Sequence, residues 1–185
     1  MGSTRIRSFM SIVAIAALTV SGASAVSPVA AAPKAKCPKT TEAQNVKTTR
    51  AWARAINNQD WETLKRITHD NHNRSKLVAQ IPEAPGNDDE VAVWQRMHRV
   101  VSGLRILIDA TATSSAAEAN ETEHLPGTTD DVVTFLGDIT GTLANGTPIK
   151  VPYSTWFFFK CGQIHTEYSV TENPPELVKA FLQTP

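Results

Sequence analysis

The rhythm of apolar and polar positions changes once along the chain, near Gly103. Before it, apolar residues recur at helical spacing; after it, they alternate. From Glu42, the residues Val46, Thr49, Ala53 and Ile56 share one face, with Trp52 beside it, as an amphipathic helix requires. Asn57-Asn58-Gln59 breaks that helix, and Asp60 is placed to cap a second, short one carrying Trp61, Leu64 and Ile67. A polar stretch from His69 to Arg74 follows. Pro82, Pro85 and Gly86 mark a loop. Asp88 or Asp89 then caps a third helix with Val93, Trp94, Met97, Val100 and Val101 on its apolar face, and Gly103 reads as the glycine that ends it. Period-2 segments cover Leu104–Thr113, Asp131–Leu143, Pro148–Lys160 and Ile164–Glu172. A polar loop separates the first two, Asn145-Gly146 signals a hairpin, and Cys161-Gly162-Gln163 makes a tight turn. Asn173-Pro174-Pro175 stops the last strand and opens a short helix, Glu176–Leu182. Helices, then a meander, then a helix predict an α+β fold: N-terminal helices packed on a strongly curved, mainly antiparallel sheet. A sheet curled in this way leaves a cone-shaped cavity suited to a small ligand.

The first residues carry a different pattern. Arg5 and Arg7 precede the apolar run Phe9 to Val20, and Ser21-Gly22-Ala23-Ser24-Ala25 offers a small-residue cleavage site. This is the layout of a secretory signal peptide over residues 1–25, with Ala31 or Ala32 as alternative ends. The run is shorter than the ~20 residues a spanning helix needs. The expectation is a secreted protein with no membrane span. Residues 26–41, rich in Ala, Pro, Lys and Thr, read as a flexible arm before a domain over 42–185. The chain has 18 basic and 18 acidic residues, and without residues 1–25 there are 18 acids against 16 bases. That balance excludes a strongly basic nucleic-acid binder. In an oxidising compartment the two cysteines, Cys37 and Cys161, suggest a disulfide, with two unpaired thiols as the alternative. The bond closes a long loop, worth about 4–5 kcal/mol in chain-entropy terms before strain. Three glycosylation sequons begin at Asn73, Asn120 and Asn145.

The segment Cys161-Gly162-Gln163-Ile164-His165-Thr166-Glu167-Tyr168-Ser169-Val170-Thr171-Glu172 resembles the last strand of the SnoaL-like, polyketide cyclase-like group of the NTF2-like superfamily. Those proteins show a D-G-K-I turn and then alternation ending in W-x-x-x-D. Tyr168 stands in the aromatic place and Glu172 in the acidic place. Asp70 and His72 loosely match a D-x-x-H-like stretch of the front half. The likeness spans about residues 42–183. It implies an NTF2-like cone that binds a small hydrophobic molecule, with acid/base chemistry of cyclase, isomerase or dehydratase type and no cofactor. The resemblance implies Glu172 as the catalytic acid/base; His72, from the loosely matching stretch, and Asp138, a carboxylate unusual inside a strand, complete the candidate catalytic set. An apolar cone makes such chemistry feasible, because it raises a carboxylate's pKa into a useful range. Glu172 shares strand parity with Ile164, Thr166, Tyr168 and Val170, which places all five on one face, and His165 on the other. Asp138 is either a pocket acid or an exposed sheet-face residue. Tyr168, Trp52, Trp94 and Phe157 are candidates to wall a ligand site or to fill the core, two roles that periodicity does not separate. His69, Asp70 and His72 make no recognised metal-ligand spacing, and no distant third ligand stands out, so no metal is expected. The rival reading is a non-catalytic secreted interaction protein, with the sheet's outer face forming a homodimer.

Overall fold

The structure, a computed structural model of the chain, describes residues 40–74, 86–114 and 132–184. The expected signal peptide, the arm up to residue 39, Cys37 and Asn120 lie outside the described residues. Among the described residues, four helices and five strands follow in the order α1 (Glu42–Asn57), α2 (Trp61–Ile67), β1 (Thr68–Arg74), α3 (Gly86–Val100), β2 (Val101–Ser114), β3 (Val132–Leu143), β4 (Pro148–Lys160), β5 (Gln163–Thr171) and α4 (Pro175–Gln183).

Local chemistry sets the helix ends. Thr41 and Gln44 form a reciprocal capping box at the start of α1, satisfying two amides that a helix leaves open. The Asp60 side chain accepts from the Thr63 amide and starts α2, as expected. α1 buries Asn45, Thr49, Trp52, Ala53 and Ile56, a helical stripe that rests on the sheet. Its C-terminal end is tied to β2 by one side chain. The Asn57 amide donates to the Ile106 carbonyl at 2.9 Å, and its oxygen accepts from the Ile106 N–H at 2.6 Å.

The sheet order is β1-β5-β4-β3-β2. β2 to β5 form an antiparallel meander, and β1 adds to its edge parallel to β5. The polar run Thr68-His69-Asp70-Asn71-His72-Asn73-Arg74 carries no strand pattern, yet it pairs with β5 because the chain leaving α2 passes along that open edge. Gly103 also differs from expectation. It has φ +64 but lies inside β2, where the β2–β3 register shifts between Ser102 and Arg105; helix passes into strand directly at Val100–Val101. The β4–β5 turn places Cys161 at φ 56 and Gly162 at φ 77, the left-handed pair that a tight hairpin demands.

The core lies between α1, α3 and the sheet's concave face. Trp52 is its centre, with ring centroids 5.3 Å from Trp94, 5.9 Å from Phe135 and 5.0 Å from Phe157. No helix among the described residues is long and apolar enough to cross a membrane.

Candidate functional site

Strand parity decides which polar groups look inward. β4 and β5 pair Thr155 with Ser169 and Phe157 with Glu167, and the register shifts between Phe158 and Phe159. Ile164 opposite Phe159 therefore faces the core, and after the shift Glu167 and Ser169 face it too. Tyr168 and Val170 turn to the outer face. The expected common face for Ile164, Thr166, Tyr168, Val170 and Glu172 is corrected accordingly: the bulge inverts the parity on which it relied.

Glu167 is fully buried at 0 % exposure. The Tyr153 hydroxyl donates to its Oε1 at 2.6 Å, and the Ser169 hydroxyl donates to the same oxygen at 2.6 Å. Tyr153 and Ser169 oxygens stand 2.8 Å apart, and the Thr155 hydroxyl donates to Ser169 at 2.8 Å. Three neighbouring inward positions on β4 and β5 thus build a relay of hydroxyls that ends on a carboxylate.

A second buried carboxylate comes from α3. Glu90, also at 0 % exposure, receives the Trp94 indole N–H at 2.7 Å and the Trp52 indole N–H at 3.4 Å, both on Oε1. Glu90 and Trp94 sit four residues apart on one helix face, so the helix itself aligns donor and acceptor. β1 brings His72 (2 % exposed) to the same place, with Nδ1 3.9 Å from Glu90 Oε2. Ligand atoms of His72, Glu90 and Glu167 all lie within 4.8 Å of one another. Among the described residues, neither ring nitrogen of His72 has a hydrogen-bond partner.

The other expected site residues lie elsewhere. Asp138 is on the outer face opposite Pro152, and its carboxylate pairs with Lys150 at 3.1 Å. Its neighbours on β3 show why: Ile139 takes the inward position, so Asp138 turns outward. Tyr168 packs edge-on against Phe158 on the outer face, centroids 5.7 Å apart. Glu172 is exposed just beyond β5, at the rim of an open depression shared with Asp109, Gly137, Tyr153 and Thr171. Trp52, Trp94 and Phe157 are buried and pack as core, two of them also by hydrogen-bonding Glu90. Of the expected catalytic residues only His72 joins the buried cluster. Glu90, Glu167, Tyr153 and Ser169 were missed.

A second histidine group lies at the β1–β5 edge. His165 and His69 stand ring to ring at 5.0 Å. Burial, reinforced by His69, Lys160 and His72, pushes His165 down to about 4, and burial also lowers His69. His165 is thus half-buried beside another histidine. Among the described residues there is no free cysteine.

No protein-family model and no curated protein matches this sequence. Solved structures do match in shape. One is Bal32a from a soil-derived mobile gene cassette, at 17% identity, covering 75% of this chain and 94% of that one with a TM-score of 0.56. Another is a putative SnoaL-like polyketide cyclase from Shewanella denitrificans, at 14% identity, 75% and 96% coverage and a TM-score of 0.54. A third is an LEH-like epoxide hydrolase of M. tuberculosis, at 13% identity, 77% and 92% coverage and a TM-score of 0.53. At these identities the likeness is one of fold.

Proposed function

Starting from a chain with the NTF2-like fold, we propose that it is a secreted small-molecule protein whose acid/base centre is Glu167, served by Tyr153 and Ser169 and flanked by His72 and Glu90. The observation that carries this reading is the convergence of three buried ionisable groups, from β1, α3 and β5, in an otherwise aromatic core. Buried carboxylates and imidazoles are costly to keep in apolar surroundings, and such groups cluster where chemistry is done. In the proposed roles Glu167 takes or gives the proton, Tyr153 holds a developing oxyanion or relays that proton, and Ser169 and Thr155 fix the geometry. The cluster comes nearest to solvent at Tyr153 and Ser169, which keep 6% and 8% exposure, and Tyr153 borders the depression rimmed by Asp109 and Glu172. Structural neighbours include a protein described as an epoxide hydrolase and another described as a cyclase, which supports reactions of hydrolase, cyclase or isomerase type on this fold. The signal-like N-terminus supports export, and the even cysteine count supports a Cys37–Cys161 bond.

The test is native mass spectrometry of the protein purified from its own host, before and after denaturation, followed by turnover assays on small epoxides and enolisable ketones. A hydrophobic molecule released on unfolding, and a Glu167→Gln variant that stays folded but loses at least ~100-fold in rate, are the expected results. An empty cone with no turnover of either class, or full activity in Glu167→Gln, sinks the assignment.

The outer sheet face favours a second reading. Leu107, Leu136, Trp156 and Val170 are large apolar side chains left exposed there. A protein that pairs through this face fits the non-catalytic interaction role.

A further inference from the structure

We propose that His72, Glu90 and Glu167 bind one divalent transition-metal ion, Zn²⁺ above all. The three residues arrive from three different elements, β1, α3 and β5, and their ligand atoms fall within 4.8 Å of one another. One imidazole nitrogen and two carboxylate oxygens form the mixed N/O set that borderline ions select. A spacing of 3.9 Å between His72 Nδ1 and Glu90 Oε2 is too long for a hydrogen bond. It is close to the ~3–4 Å that separates two ligands each ~2.1 Å from a shared ion, and the full set, within 4.8 Å, closes on one ion by a side-chain shift of under about 1 Å.

Two carboxylates in proximity do not by themselves make a site. The second observation is His72. The residue is only 2% exposed, its Nδ1 faces Glu90 Oε2, and both of its ring nitrogens lack a hydrogen-bond partner among the described residues. Buried polar atoms are almost always satisfied, so the orphaned nitrogen that faces the two carboxylates calls for an occupant, and one ion supplies it for that nitrogen. The surroundings have the form of an outer coordination shell. Trp52 and Trp94 donate to Oε1 of Glu90, while Tyr153 and Ser169 donate to Oε1 of Glu167. Donors of this kind orient ligating carboxylates and are a regular part of metal centres. No local spacing around His72 reveals the set, because the fold supplies Glu90 from 18 positions away on another element and Glu167 from 95.

The proposal does not rest on the catalytic reading, since occupancy is measured without any substrate. An untagged, full-length chain is stripped with EDTA, titrated with ZnCl₂ by calorimetry, and its retained zinc counted after desalting. The expected result is one equivalent bound, weakened at least tenfold in His72→Leu, which keeps the site filled and apolar, and unchanged in His165→Gln. Affinity should fall at lower pH, because the imidazole must shed its proton to ligate. Wild-type protein that retains no zinc overturns the site. So does a His72→Leu chain that binds as wild type, or loss of binding in His165→Gln, which would move the ion to the His69–His165 pair. Should His72→Leu fail to fold, Co²⁺ substitution of the wild type decides: ligand-field bands of a low-symmetry, protein-bound ion support the site, and an unaltered aqueous spectrum refutes it.

Discussion

Residue chemistry separates Glu167 from Glu172, two acids five positions apart with opposite fates. Glu172 follows β5 and precedes Asn173-Pro174, so nothing buries it. Glu167 is buried because it pairs with Phe157 inside the sheet, where a carboxyl group stands only if hydrogen bonds satisfy it. Tyr153 and Ser169 donate those bonds, and leaving a buried acceptor short of one costs roughly 1–3 kcal/mol. Tyr153→Phe removes one donor and leaves the ring in place. Its expected cost is about 1–3 kcal/mol in urea unfolding, with an unchanged m-value. A loss below a few tenths of a kcal/mol would show that Tyr153 does not hold Glu167. None of this was legible in the sequence. A family-like motif pointed to the end of the strand, and the one-residue register shift between Phe158 and Phe159 that turns Glu167 inward leaves no mark in an alternating pattern.

Elements were legible where pattern and caps agree. α1 and α2 follow from their stripes and from Thr41 and Asp60, and the hairpin strands follow from period 2 and their turns. β1 was not legible, because a strand docked on a parallel edge needs no alternation of its own, and its run is polar throughout. Two predictions belong at this scale. Gly137 lies in β3 where β2 crosses close by: a Cβ there would stand 1.8 Å from the Leu107 carbonyl oxygen. Gly137→Ala must displace backbone, so a loss of about 1–3 kcal/mol, read as a lower denaturation midpoint, is expected. Tolerance of alanine would mean that β2 and β3 are further apart. The other concerns the β1–β5 edge. His165 sits near 4 when folded, against an ordinary 6.5. Between those values the unfolded chain binds the extra proton, so stability is complete above about pH 6.5 and declines as pH falls toward 4. His69, lowered in the same direction, adds to the decline. Thermal melts from pH 8 to 4.5 should show a falling Tm, with a shallower fall in His165→Gln. An equal slope in both proteins would assign the acid sensitivity to other groups.

At the scale of the whole molecule, the order of helices, meander and helix was enough to place the chain in its fold, since few architectures accept that sequence of elements. What the order does not show is which face of the sheet stays bare. The concave face is covered by α1 and α3. On the outer face, Leu136, Ser154 and Val170 line up across β3, β4 and β5, with Trp156 and Tyr168 in the next row. Leu107, Leu136, Trp156 and Val170 remain exposed on that one side, a concentration that isolated surface residues do not produce. A second copy of the chain is the simplest cover, because a two-fold axis brings identical rows of apolar side chains together. Asp138 and Lys150, paired on the same face, would then sit at the polar rim. Light scattering across a concentration series should give a dimer mass for the chain from residue 26 onward. The double change Leu136→Asp with Val170→Asp should give a monomer, since four carboxylates would have to be buried at the seam. Both positions are exposed in the single chain, so the variant should keep its fold and its buried cluster. A wild-type monomer at every concentration would reject the paired form, and a dimer that survives both aspartates would move the contact to another surface.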